Sequence, residues 1–262
     1  MSFITENSSA ASIKEFWDTQ AAQYRESDIA TAPDHYYREL EISRILPHIP
    51  SHAKVLDVGC GNGYSTAIFA RERPRATFMG IDFSETMIKS AIKKPKQNNL
   101  SFAICDVLDL NSLGQKFNTV ISTRCLINLK GWNDQAVALK GIREVLETNG
   151  RLILVENTKE GLANLNKLRL QQGLLKIKER WHNSYLPQRD LMTFLRPHFK
   201  LMHMENIGNF YYMVSRVIYA KLAQMEGKTP EYNHPINKIA SEMPSLPGYY
   251  YSPNFMWILK AI

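Results

Sequence analysis

The stretch VLDVGCGNG, residues 55–63, leaves few folds open to this chain. An aliphatic, β-branched run enters a turn with three glycines in five residues, and the helical pattern YSTAIFARER follows. A strand that passes through such a turn into a helix brings backbone N–H groups to a helix N-terminus, where a nucleotide can approach closely. The β and α patterns then alternate: AKVLDVGC (53–60), ATFMGIDF (76–83), LSFAICD (100–106), FNTVISTRC (117–125) and RLILVEN (151–157) read as strands. Between them lie helical patterns, among them SETMIKSAIKK with Ser84 as N-cap and a helix over 133–147, and the turn TNG introduces the fifth strand. Short apolar runs separated by helices predict a doubly wound parallel sheet. Ligands of such sheets bind beyond the carboxyl ends of the strands, so the residues closing each run are the candidates for a site.

Two helical stretches precede the sheet, ASIKEFWDTQAAQYRES (11–27) and DHYYRELEISRILPHI (34–49). After residue 157 the alternation stops. NLNKLRLQQGLLKIKERW reads as helix, LPQRDLMTFLRP (186–197) as another, HFKLMHMENI (198–207) as a strand, residues 208–250 as irregular to helical, and NFMWILKAI (254–262) as a last, antiparallel strand. The expected fold is therefore an α/β, doubly wound seven-stranded sheet with helical cap insertions after strand five and before the last strand. The expected division is N-terminal helices over 1–50, a core over 51–157, a basic cap over 158–190, and the end of the sheet over 191–262 with a second cap at about 208–250.

With 262 residues and 44% hydrophobic content the chain can bury a full core. The opening MSFITENSSAAS lacks the basic start and apolar run of a signal peptide, and no segment approaches the ~20 apolar residues of a membrane span, so a cytoplasmic protein is expected. Cys60, Cys105 and Cys125 are odd in number and without metal-ligand spacing, and they read as reduced thiols with no metal site. The net charge of +7 is concentrated: residues 158–200 carry nine basic side chains against three acidic ones. Two readings stand for this excess, a solvated helical face or a surface that attracts an anionic small molecule. Nucleic acid is the poorer partner, because the basic residues are interleaved with leucines and no RNA-binding module is appended.

The glycine spacing, Gly59-Cys60-Gly61-Asn62-Gly63, departs from the G-x-G-x-x-G dinucleotide pattern, and Asp57 stands two residues before it. A fixed carboxylate repels a pyrophosphate and favours an ammonium group. Asp82, closing the second strand 21 residues after Gly61, is placed for the hydroxyls of a ribose. Asp106, followed by Val107, is placed for an adenine amino group. An adenosine with a cationic amino-acid tail and no phosphate is S-adenosylmethionine.

On VLDVGCGNG, GIDFSETMI, CDVLDL and LETNGRLILVEN together, the sequence resembles the class I S-adenosylmethionine-dependent methyltransferases, whose sheet is Rossmann-like. FWDTQAAQY, with Trp17, Tyr24 and Arg25, is similar to the N-terminal helix that covers the cofactor in many relatives. The resemblance implies that Asp57 holds the methionyl ammonium while Gly59, Gly61, Asn62 and Gly63 form the close-approach turn. It implies that Asp82 takes the ribose, that Phe83 and Met87 flank the adenine, and that Cys105, Asp106 and Val107 meet its edge. Ser122, Thr123 and Arg124 would then line the sulfonium, with S-adenosylhomocysteine as product. Gly63 has a plainer alternative in helix packing, and Met87 in the core.

For the acceptor, no Asn-Pro-Pro-Tyr sequence follows strand four, where STRCLINLKGW stands instead, which disfavours methylation of planar amines in DNA or glutamine. Arg124 and Asn128 stand at the entry; Arg124 is expected either to fork onto a carboxylate or phosphate or to pair with a cap helix. In RWHNSY, His182 is the candidate general base, with Tyr185 beside it, and Glu156 and Asn157 are expected to face the same cleft. Tyr211, Tyr212 and Arg216 are candidates for its wall. From TRCLINL through VEN, NLNKLR, RWHNSY and YYMVSRV the chain also looks like a bacterial methyltransferase subgroup of surface-polysaccharide and other small-molecule pathways, which together with the basic cap favours O-methylation of an anionic acceptor such as a nucleotide-linked or phosphorylated sugar. N-methylation of an amino sugar or other amine, an RNA-binding methyltransferase, and a cofactor-binding regulator without catalysis are the rival readings. The sequence leaves the oligomeric state open.

Overall fold

The computed structural model describes residues 9–25, 27–94 and 96–262. The polar opening at residues 1–8, on which the leader-peptide reading partly rests, lies outside them, as does Glu26 in the first helical stretch. Two helices, α1 (Ala10–Tyr24) and α2 (His35–Ile45), lead into the alternating segment. That segment runs β1 (Lys54–Val58), α3 (Tyr64–Glu72), β2 (Thr77–Asp82), α4 (Glu85–Ile92), β3 (Leu100–Ile104), β4 (Phe117–Thr123), α5 (Trp132–Val145) and β5 (Leu146–Asn157). Then follow α6 (Lys159–Gln171), α7 (Gln188–Leu195), β6 (Phe199–Glu205), α8 (Asn209–Met213), α9 (Tyr219–Met225), α10 (Pro235–Glu242) and β7 (Asn254–Ala261). A π-helical turn, Val214–Ile218, joins α8 to α9.

The seven strands lie in the order β3-β2-β1-β4-β5-β7-β6. β1 to β5 are parallel, and β7 runs antiparallel to both β5 and β6, as the sequence predicts. The chain moves outward from β1 to β3 on one side and restarts at β4 on the other, so a crevice opens at the carboxyl ends of β1 and β4.

Alternate residues feed opposite layers, which is why the central strands read as continuous apolar runs. Leu56, Val120, Leu152, Leu154 and Trp257 pack on the side of α5, with Leu139 and Ile142. Val55, Phe78, Ile121, Ile153 and Val155 pack on the opposite side with Ile42 and Ile45 of α2 and Phe69 of α3. Each such side chain contributes roughly 1.5–3 kcal/mol by leaving water. A smaller cluster, Leu165 and Leu174 with Val217 and Ala220, joins α6 to the segment after β6, so the two cap insertions pack on one another.

Two local expectations change. The TNG turn is not a break before the fifth strand: β5 already starts at Leu146, and its register on β4 shifts between Phe117↔Leu146 and Thr119↔Arg151. Asn149, in the left-handed region at φ 63°, lets the extra residues loop out while both flanks stay paired. The helix expected through Trp181 ends at Gln171, with Gly173 left-handed at φ 66° beyond it. Gly173 stops the helix, with the Gly173 and Leu174 N–H groups donating to the carbonyls of Leu170 and Arg169, and the chain beyond is then held by Asn166 of α6, which donates from Nδ2 to the Ile177 carbonyl and accepts from the Ile177 N–H, both at 2.8 Å. Arg169 Nε donates to the Leu175 carbonyl at 2.9 Å. Residues 174–177 therefore fold back along the helix they were expected to extend.

Candidate active site

A cavity of about 490 Å³ opens over the carboxyl ends of β1, β2 and β4 and continues under the cap. Its floor is the glycine turn. Gly59 and Gly61 hold φ of +71° and +55°, and a Cβ on them would stand 2.5 Å from Cys125 Sγ and 2.6 Å from Thr31 Cγ2. Only glycine combines that conformation with that approach. Gly63 and Asn62 are not on the cavity wall. Gly63, at φ +71°, opens α3, and a Cβ there would meet the Phe102 ring at 2.5 Å, so its place is explained by packing. Asn62 is buried and donates to the carbonyls of Arg25 and Ser27 at 2.9 and 2.8 Å, which fastens the segment after α1 to the turn.

Two buried carboxylates flank this turn. Asp57 accepts from Thr66 Oγ1 at 2.6 Å, and among the described residues it has no ion pair. Burial pushes its pKa up to about 7; the Thr66 hydroxyl opposes that and the Asp82 charge adds to it. Asp82 accepts from the N–H groups of Gly61 and Ser84, each at 2.9 Å, and burial brings it to about 6 against those bonds. Phe83, Met87, Cys105, Asp106 and Val107 continue the wall from β2 to the turn after β3. Asp106 is exposed and caps the following 3-10 turn by accepting from Leu108 N–H at 2.9 Å. Thr123, Arg124 and Asn128 carry the wall across β4.

The roof comes from α1 and the basic cap. Trp17 Nε1 donates to Asn128 Oδ1 at 3.3 Å, and the Phe16 ring stacks on His182 with centroids 4.2 Å apart. Tyr24 and Arg25, at the far end of α1, do not reach the cavity. His182 does, nearly buried, with Nδ1 unpartnered among the described residues. Burial first and the Arg180 charge second lower its pKa to about 4. Tyr185 and Asn157 also line the cavity, as do Tyr212 and Arg216; Tyr211 is buried behind them.

Glu156 and Ser122 are not on the cavity wall. Glu156 points under residues 126–128, accepting from Leu126 N–H at 2.8 Å and from Ser122 Oγ at 3.4 Å. Burial raises its pKa to about 8 although the loop amides oppose the shift. A buried acid with a raised pKa stabilises the fold fully below its unfolded value near 4, and that stabilisation is lost as pH rises toward 8. Glu156→Gln is therefore expected to match the parent protein near pH 5 and to exceed it at pH 9 by on the order of 2 kcal/mol in denaturant titrations. Equal loss of stability with pH in both proteins would show that Glu156 does not titrate in this range.

Sequence reading missed the ionic floor supplied by α2. Glu41 pairs with Arg124 at 2.9 Å and accepts from Asn254 Nδ2 at 3.0 Å. Asp34 pairs with Arg216 and accepts from the Tyr211 hydroxyl at 2.6 Å. Arg124 was expected to fork onto an anion or to pair with a cap helix; its ion pair is instead with α2, ahead of the sheet. The available signal was DHYYRELE, in which Asp34, Arg38 and Glu41 share one helix face that also carries buried Tyr37 and Ile45.

A doubly wound sheet with a positive-φ glycine turn and an acid at the end of each of its first two strands defines a nucleoside-binding α/β protein. Residues 49–191 match the family model described as a methyltransferase domain. The chain belongs to that family, the S-adenosylmethionine-dependent class. It is 31% identical over 102 residues to a malonyl-[acyl-carrier protein] O-methyltransferase of Acetivibrio thermocellus, which covers 39% of this chain and 35% of the relative. It is 29% identical over 109 residues to a ubiquinone/menaquinone biosynthesis C-methyltransferase of Desulfotalea psychrophila, covering 42% and 43%. The chain thus spans less than half the length of these relatives. The fold is similar to that of magnesium protoporphyrin IX methyltransferase from Synechocystis PCC 6803, with a TM-score of 0.58, 17% identity, and 94% and 93% of the two chains covered. The N-methyltransferase NodS of Bradyrhizobium japonicum gives 0.56, 13%, 94% and 97%.

The cavity fits that class's cofactor. Asp57 offers a carboxylate that lacks a cationic partner among the described residues, and it lines the cavity beside the side-chain-free backbone of Gly59 and Gly61.

Proposed function

We propose that this protein transfers a methyl group from S-adenosylmethionine to an oxygen of a small anionic acceptor, such as a phosphorylated or nucleotide-linked sugar. One observation carries the reading. A single cavity joins two buried carboxylates at the glycine turn, neither with an ion pair among the described residues, to a cap wall that includes Lys178, Arg180 and Arg169. The acidic end suits an ammonium and a ribose diol; the basic end suits an anion. Bound at the acidic end, S-adenosylmethionine supplies a methyl group already activated as a sulfonium. Asp57 and Asp82 then hold and orient it, α1 and the Trp17–Asn128 bond exclude water, and His182 stands as acceptor for the hydroxyl proton.

His182 is a weak base, because burial first and the Arg180 charge second disfavour imidazolium. An anion on Arg180 relieves the second, smaller effect. The same low basicity favours a second reading, N-methylation of an amine, which needs no strong base. His182→Ala separates them. O-methylation should fall about tenfold in kcat, below the 10²–10⁴ of a well-matched base, with affinity for S-adenosylhomocysteine retained; an unchanged kcat removes the base. The cofactor assignment is tested by calorimetry with S-adenosylhomocysteine, NAD and ATP. Tight uptake of NAD or ATP with indifference to the first would overturn it.

A further inference from the structure

The cap end of the cavity holds cations that the transfer itself does not use. Arg169 of α6 donates from Nη1 to the Arg216 carbonyl, and the Arg216 charge depresses its pKa after burial has done so. The Arg216 guanidinium lies over the Tyr232 ring, 4.8 Å from its centroid. Arg180 Nη2 donates to the Tyr232 hydroxyl at 3.4 Å. All four residues line the cavity, and so does Lys178, two positions before Arg180.

Their counter-charge is short. Asp34 neutralises Arg216, whereas Arg169, Arg180 and Lys178 have no ion pair among the described residues. Glu179, the acid nearest in sequence, is turned away: its Oε2 accepts from Tyr185 N–H at 2.8 Å, and it is not on the cavity wall. Grouped guanidiniums repel, so a fold that gathers them on one wall loses stability unless an anion completes the set. Cations on two different segments, Arg169 on α6 and Arg180 beyond it, match the several oxygens of a phosphate better than they match a single carboxylate.

Resting on the methyl-transfer reading above, we infer that Arg169 and Arg180, held around Tyr232 and Arg216, form with Lys178 on the same cavity wall the subsite for a phosphate or diphosphate group of the acceptor. The subsite lies on the cap insertion and not on the sheet, so it sets which acceptor enters while the glycine turn handles the donor. Tyr232 comes from the second insertion, and it ties the specificity of the pocket to contact between the two.

Inorganic pyrophosphate is the probe, titrated calorimetrically into the protein saturated with S-adenosylhomocysteine. Binding is expected, and Arg180→Gln should weaken it about tenfold, the equivalent of one charge-assisted hydrogen bond. Arg169→Gln removes the charge together with two hydrogen bonds to the backbone, whereas Arg169→Lys loses those bonds and keeps the charge; the comparison isolates the charge, and Arg169→Lys is expected to weaken binding by less than Arg180→Gln. Affinity for S-adenosylhomocysteine should stay the same in every variant. Absence of pyrophosphate binding, or binding indifferent to Arg180→Gln and Arg169→Lys alike, overturns the subsite. Failure to bind S-adenosylhomocysteine counts against the methyl-transfer reading instead, since pyrophosphate binding to the free protein is measured separately.

Discussion

Asp57→Asn is expected to bind S-adenosylhomocysteine about a hundredfold more weakly than the parent protein, a loss of about 2.7 kcal/mol. The amide keeps the size of the side chain and can still accept from Thr66 Oγ1, which lies 2.6 Å from the carboxylate. It removes the charge. Hydrogen bonds to charged groups are worth about 1.5–3 kcal/mol, and here the carboxylate is buried, so water does little to screen it. A loss of less than about threefold by calorimetry would show that the ammonium is held elsewhere.

The same residue gives the binding a pH signature. In the free protein burial holds Asp57 near 7, so much of it is protonated at neutral pH. Only the charged form attracts the ammonium, and binding must release the proton. Affinity is therefore expected to fall as pH drops below 7, approaching tenfold per unit, and calorimetry in buffers of different ionisation heat should register the proton. Asp82, near 6 and coupled to Asp57, contributes to the lower part of the profile. Asp57→Asn isolates it: the variant's affinity should be flat between 7 and 8 and decline only nearer 6. For the free protein the sign is the opposite. An acid raised in the folded state stabilises it most below about 4 and loses that contribution as pH climbs to 7, so cofactor should raise the melting temperature more at pH 8 than at pH 6.

The strands and the donor end of the cavity were legible because their signals are local. A strand buried on both faces must be a short apolar run, and an acid that closes one, as Asp57 and Asp82 do, has no packing reason to be there. Glu156 obeys the alternation of its strand. It shares the parity of Leu152 and Leu154, which face α5, so its carboxyl goes under residues 126–128 while Asn157, one residue on, reaches the cavity. Alternation along the strand already held that answer. The end of α6 had one local signal, Gly173, which stops the helix in a left-handed conformation two residues past Gln171; the path of LLKIKERW beyond it was not legible, since it keeps a helical rhythm and the bonds of Asn166 to Ile177 turn it back. The partners of Arg124 and Arg216 were equally hidden, since Glu41 and Asp34 lie on a helix 83 and 182 residues away in the chain.

That hidden floor carries the largest expected effect on stability. Glu41→Ala should destabilise the protein by about 3 kcal/mol, the lower end of what breaking a buried pair costs. Burial raises the pKa of Glu41 although Arg124 and Arg38 oppose it, so the carboxylate is tolerated only because those guanidiniums are there. Without it Arg124 is left with an uncompensated charge, and the quarter of its side chain that meets solvent moderates the cost. Arg124 also sits at φ 52°, a conformation that a non-glycine residue keeps only when its surroundings hold it, and its carbonyl accepts from Asn128 Nδ2 at 2.9 Å. Losing the pair should thus loosen the segment that presents Asn128 and lower kcat along with stability. Glu41→Met combined with Arg124→Met is expected to recover part of the folding free energy lost in Glu41→Ala in denaturant titrations, because the Arg124 charge is no longer left behind, while Arg38 and Asn254 still lose the Glu41 carboxylate. It should not recover kcat. A double variant as unstable as the sum of the single ones would mean that Glu41 and Arg124 act separately, Glu41 through Asn254 and Arg124 through its backbone.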